Sequence, residues 1–214
     1  MKEEHTKKGV RGLIAETALE LFLTRGIKEV KMDDIAFVLS ISKRTIYELF
    51  ADKEQLLQEA MKLHGEKIRK EAKEEIRKSE HILDIILRLY TLYFEKLKTI
   101  NMNFIKEMER YPKIYQRNKD REAKNDKKFI AWMEMGRKQG LFREDANFDI
   151  LLYILRRDLE IIVTSRMKDE KSELGRYTPD ELGRTLILFY LRGISTTKGQ
   201  EIIEEYMNNK TTIQ

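Results

Sequence analysis

At 214 residues the chain is long enough to bury a sizeable core, either as one domain or as a small head with a larger body. Forty-two Lys and Arg against 37 Asp and Glu leave a net charge of +5, too mild a bias to indicate a nucleic-acid partner by itself. There is no cysteine, hence no disulfide framework and no thiolate centre; the N-terminus lacks the apolar run of a signal peptide, and no stretch is apolar and long enough for a bilayer, so a cytoplasmic protein without a membrane partner is expected.

The residues up to about Gly9 read as a mobile arm carrying Lys2, Lys7 and Lys8. From Arg11 to Gly26 the residues Leu13, Ile14, Ala18, Leu21 and Phe22 recur at helical spacing, and Gly26 stands where a C-terminal cap is expected. Asp33 to Leu39 predicts a short second helix, with acidic residues in its first turn where they complement the helix dipole. Ser40-Ile41 is then a tight turn. Ser42 can cap a third helix opening at Lys43, and Asp52 a fourth opening at Lys53.

Within the third helix Ile46, Leu49 and Phe50 share one face and can be buried, which turns Lys43, Arg44 and Tyr47 outward. Two short helices joined by a few residues, the second carrying cationic and hydroxyl groups, are the helix-turn-helix arrangement that seats the second helix in the major groove. Arg44 and Lys43 are the candidates for guanine edges. Residues 1–57 hold ten basic and ten acidic residues, so DNA binding would depend on where charges sit rather than on their sum.

The rest of the chain reads as helical almost throughout, giving an all-α fold. A helix from Lys53 to about Lys78 is apolar at first and then almost wholly charged, as in a solvated connector. Further helices are predicted near Ile82–Leu97 and Met102–Tyr111, with a break at Pro112, then about Tyr115–Lys138 and Phe148–Met167. Thr178-Pro179-Asp180-Glu181 is a specific helix-start signal, opening a helix to about Leu191, and a last helix covers about Lys198–Asn208. Phe148–Val163 and Leu182–Leu191 are apolar around most of their circumference. One face of each can pack on the body and the other needs a partner, which the same helices of a second copy would supply across a two-fold axis.

Through Ile14, Ala18, Leu21, Phe22, Gly26, Ile35-Ala36, Ser42, Thr45, Tyr47, Phe50, Lys53, Glu54 and Leu56 the chain resembles the TetR (tetracycline-repressor) family of bacterial transcription regulators. The resemblance is specific over roughly the first quarter. It implies a three-helix DNA-binding domain over residues 1–52 and a larger helical effector-binding and dimerisation domain over 53–214. It further implies base contact by Lys43, Arg44 and Tyr47 and phosphate contact by Thr45, Lys53 and Lys31, beside the cap Ser42. Where the family usually has hydroxyl residues before its second helix, this chain has Lys31-Met32; where it often has glycine in the turn and at the second position of the third helix, this chain has Ser40 and Arg44.

Among the aromatic and methionine residues of the middle helices, Tyr90, Phe94, Met102, Met108, Phe129, Trp132 and Met133 are candidates to line a cavity for a hydrophobic effector, and they are equally ordinary core. Arg88, Glu107, Arg156, Asp158 and Glu160 lie near apolar faces, where each either salt-bridges or anchors a polar group. His5, His64 and His81 show no metal-ligand spacing, and no Gly-rich phosphate loop, HExxH or GxSxG pattern occurs. The expected function is therefore a non-enzymatic, homodimeric repressor without cofactor or metal. It would bind a palindromic operator in double-stranded DNA and be released by a small-molecule effector. A ligand-independent DNA-binding protein of the same fold is the alternative; an all-helical enzyme or interaction module with a fortuitous helix-turn-helix is the third reading.

Overall fold

The computed structural model describes residues 2–168 and 176–211. These form ten helices: α1 (Lys2–Arg25), α2 (Met32–Val38), α3 (Lys43–Tyr47), α4 (Lys53–Arg77), α5 (Ile82–Lys98), α6 (Met102–Met108), α7 (Pro112–Lys138), α8 (Phe148–Lys168), α9 (Pro179–Ile194) and α10 (Thr197–Thr211). Two compact units result, one of Met1–Glu71 with Thr99–Lys119, the other of Ala72–Lys98 with Asp120–Gln214.

The first unit is built on α1. Ile14, Ala18 and Phe22 follow one another at four-residue spacing and are fully buried with Ile35, Ile46, Phe50, Leu56 and Leu57. Each large side chain so buried contributes about 1.5–3 kcal/mol relative to exposure. Over the stretch expected as an arm, the backbone of α1 reaches back to Lys2. The helix stops at Gly26, whose φ of 91° suits glycine and whose N–H reaches the Phe22 carbonyl at 2.9 Å.

At the start of α2 the Asp34 carboxylate accepts the Lys31 N–H at 2.7 Å, which satisfies one of the backbone donors without a hydroxyl cap. At its end Ser40, at φ 53°, takes the left-handed position that glycine usually fills. The Ser40 N–H bonds the Phe37 carbonyl (3.1 Å) and the Ile41 N–H the Ala36 carbonyl (3.0 Å), the paired bonds of a Schellman ending.

Residues 99–119, read from sequence as part of the body, pack with this first unit. The Asn101 N–H donates to the Leu23 carbonyl (2.7 Å), Asn101 Nδ2 to the Thr24 carbonyl (3.1 Å), and Glu107 Oε2 accepts the Lys28 N–H (2.7 Å). Three bonds thus fasten α6 to the end of α1 and the turn after it, and Phe104 and Met108 complete the same core.

In the second unit Ile82, Leu83, Ile86 and Leu87 of α5 are buried with Met133, Leu155, Ile187, Leu188, Leu191 and Ile203. The predicted start of α9 is present: Glu181 N–H bonds Thr178 Oγ1 (3.2 Å), and the Glu181 carboxylate accepts the Thr178 N–H (2.7 Å). Gly183 admits the Phe94 ring so closely that a Cβ there would lie 2.3 Å from it. Pro112 opens α7 at its first position, slightly earlier than expected, because its missing N–H costs nothing there.

Candidate nucleic-acid interface

Recognition would centre on α3, whose short run is fixed from both ends and from beneath. Ser42 Oγ accepts the Thr45 N–H at 3.0 Å, and the two hydroxyl oxygens of Ser42 and Thr45 are 2.9 Å apart. Ile46 and Phe50 are fully buried and Leu49 partly so, as their spacing predicts. From α1, Arg11 donates to the Leu49 carbonyl, and its guanidinium stacks 4.2 Å over the Phe50 ring. Sequence reading missed Arg11, because its partner lies 38 residues away and no local pattern announces it. At the far end Asp52 Oδ1 accepts the Gln55 N–H (2.7 Å) and Gln55 Oε1 the Ala51 N–H (2.6 Å), so the junction into α4 is capped reciprocally.

With the apolar face committed, Lys43, Arg44 and Tyr47 stand on the outside. The Arg44 side chain is 88% exposed, and its Nε donates to Glu48 Oε1 at 3.0 Å, one turn along. Lys43 Nζ donates to Asp33 Oδ2 at 2.7 Å, tying α3 to the first turn of α2, and this hydrogen bond raises the lysine's pKa. Tyr47 is exposed on the same helix, and Lys31 is exposed just before α2.

Lys53 is placed differently from the other candidate phosphate ligands. It is half-buried at the start of α4 with its ammonium 5.8 Å over the Phe22 ring; burial lowers its pKa against the opposing pull of Glu107, Asp34 and Glu29.

The seven candidate effector contacts are divided between the two units. Met102 and Met108 belong to the first unit, where Met108 is core. In the second unit Met133 is fully buried, and Phe129 and Trp132 pack partly buried against the same cluster. Tyr90 and Phe94 border a cavity of about 20 Å³ that Leu87, Thr91, Asp180 and Arg184 also line. That is room for about one water molecule. Burial drives the Tyr90 pKa well above its ordinary value, and its hydroxyl donates to the Gly183 carbonyl at 2.7 Å.

The charged residues near apolar faces are engaged inside their own units. Arg88 pairs with Asp84 (2.8 Å) and Glu75 (3.6 Å), Arg156 Nε with Asp126 (2.8 Å), and Glu160 with Arg157 (3.0 Å). Asp158 accepts the Tyr190 hydroxyl at 2.6 Å; burial foremost, with this bond, raises the tyrosine's pKa to about 12. Among the described residues no group of His, Cys, Asp and Glu could hold a metal ion, and no helix is long and apolar enough to cross a membrane.

Residues 14–60 match the family model of the bacterial regulatory proteins of the tetR family. The chain carries a tetR-family N-terminal domain. The match runs from Ile14, in the second half of α1, to the first two turns of α4 and contains the whole α2–turn–α3 arrangement.

Solved structures extend the likeness to the fold of most of the chain. A protein from Saccharomonospora viridis, described as a transcriptional regulator in complex with choline, is 22% identical with a TM-score of 0.75, over 88% of this chain and 99% of that one. A TetR transcriptional regulator from Chloroflexus aurantiacus is 20% identical with a TM-score of 0.70, over 89% and 98%. The fatty acid degradation regulator FadR from Bacillus halodurans is 15% identical with a TM-score of 0.63, over 85% and 94%. No curated protein matches the chain. Beyond the TetR-type head, what is shared is the all-α fold of TetR-family transcriptional regulators.

Proposed function

We propose that the chain is a sequence-specific, non-enzymatic transcriptional repressor of the cytoplasm, acting as a homodimer on a palindromic operator. One observation carries this reading: within a tetR-family head, Lys43, Arg44 and Tyr47 project together from a helix whose other face is fully committed to the core. Lys43, Arg44 and Tyr47 read bases; Thr45, Lys53 and Lys31 meet phosphates; Ser42 holds the start of the reading helix. Losing a bidentate contact from Arg44 to guanine costs about 1–3 kcal/mol and relaxes the preference at that base pair. The test is fluorescence anisotropy of a selected duplex with wild type and with the Arg44→Ala, Tyr47→Ala double variant. Strong loss on the selected duplex and little on a scrambled one is expected; undiminished affinity sinks the assignment.

Dimerisation is proposed through α8 and α9. Leu155, Ile162, Ile187, Leu188 and Leu191 are buried within the unit, while Ile150, Tyr153 and Ile154 of α8 and Phe189 of α9 are exposed, Phe189 by 74%. An isologous pairing of those faces supports two heads that meet half-sites about 34 Å apart.

Release by a small molecule is the natural extension, supported by the choline bound to the Saccharomonospora viridis regulator of the same fold. It requires a ligand that binds the operator-competent and released states with different affinity. The small cavity bordered by Tyr90 and Phe94 favours a second reading, in which the DNA-binding state needs no ligand. Mass spectrometry of the natively purified protein separates the two: a co-purified metabolite supports the ligand-released repressor, and a metabolite-free protein with full operator affinity supports the second.

A further inference from the structure

We propose that Asp33 and Glu48 are specificity determinants of the head, each holding one base-reading cation by a side-chain hydrogen bond. This rests on the reading of α3 as the helix that reads DNA. The Glu48 carboxylate takes Arg44 Nε at 3.0 Å and leaves the two terminal nitrogens free, the pair needed to meet O6 and N7 of one guanine. Glu48 therefore aims the guanidinium along the direction a bidentate contact requires. Asp33 takes one of the three donors of Lys43 at 2.7 Å and leaves two, while fixing the lysine against α2.

Charge gives the same two residues a second effect. Their side chains are about 60% exposed beside the cations they hold. A phosphate approaching Lys43 or Arg44 meets a carboxylate at the same place. The resulting repulsion is the same for every sequence, so it is outweighed only where base-edge contacts are made, and indiscriminate binding is held down. The balance of ten basic and ten acidic residues over positions 1–57 is what such restraint leaves. Stability alone does not explain the pairs, because exposed ion pairs contribute little to it.

The test uses the full-length protein as wild type, Asp33→Asn, Glu48→Gln and the double variant, each with the best duplex from a random library and with a scrambled duplex, at two salt concentrations. The amides preserve shape and an acceptor oxygen, so the fold should be kept and the thermal midpoint should move little, with a small fall for Asp33→Asn from the lost charge in the first turn of α2. Affinity of the double variant for the scrambled duplex should rise about tenfold with a steeper salt dependence, and the ratio of selected to scrambled affinity should fall. Glu48→Ala, which removes the tether as well as the charge, should lose more preference at the guanine position than Glu48→Gln. A ratio that stays constant in all variants overturns the inference while leaving DNA reading by α3 intact. A wild type that does not distinguish the duplexes overturns both.

Discussion

Ser40 shows how one residue can carry a measurable cost. It holds a left-handed backbone conformation at φ 53°, where a side chain is disfavoured and glycine is not. Ser40→Gly should therefore stabilise the chain by up to about 1 kcal/mol without touching α3, and thermal unfolding beside operator affinity checks both halves of that statement. Lys53 makes a different case, since its ammonium sits over Phe22 among carboxylates while its proposed role is at a phosphate. Lys53→Met keeps the apolar stem and removes only the charge. If the lysine swings out to DNA, the variant should bind selected and scrambled duplexes more weakly by the same factor, with the salt slope flattened by about one. Unchanged affinity for both would leave Lys53 with a packing role alone.

At the scale of elements, helix starts were the most legible features, because a cap is a local bond between residues three apart. Thr178 with Glu181 and Asp52 with Gln55 are such bonds. Thr178→Ala should cost about 1 kcal/mol, read as a lowered midpoint in urea unfolding. The hydrogen bonds from Thr178 hold the Glu181 carboxyl below the ordinary glutamate pKa. Its contribution is thus complete above that ordinary range and is lost as pH falls through the depressed value, so the difference between wild type and Glu181→Gln should shrink on acidification below pH about 4. What sequence could not supply was long-range. The attachment of α6 to the end of α1 through Asn101 and Glu107 joins residues more than 75 positions apart, with no periodicity to reveal it. Met102 and Met108 fall in the first unit with that attachment, and Met108 in its core: a methionine on an apolar helix face looks alike whichever core receives it.

For the whole molecule, the outward face of α3 was legible because capping and helical spacing dictate it; the proposed pairing of copies was signalled in sequence by the apolar circumference of α8 and α9, and the folded unit adds which of those groups stay exposed. Tyr153 and Phe189 are exposed on the two helices of the proposed pairing, which would cover them. A Tyr153→Glu, Phe189→Glu double variant should sediment as a monomer and lose most operator affinity, since two half-sites held by one dimer bind far more tightly than either head alone. A double variant that remains dimeric places the interface elsewhere. The most direct test of the central claim is selection of duplexes from a random library by the purified protein, followed by affinity for the winner against a scrambled control at fixed salt. Operator reading by α3 predicts an enriched palindrome, its half-sites about one helical turn apart and its guanine preference relaxed by Arg44→Ala. Absence of any enrichment, with equal affinity for winner and control, would contradict it.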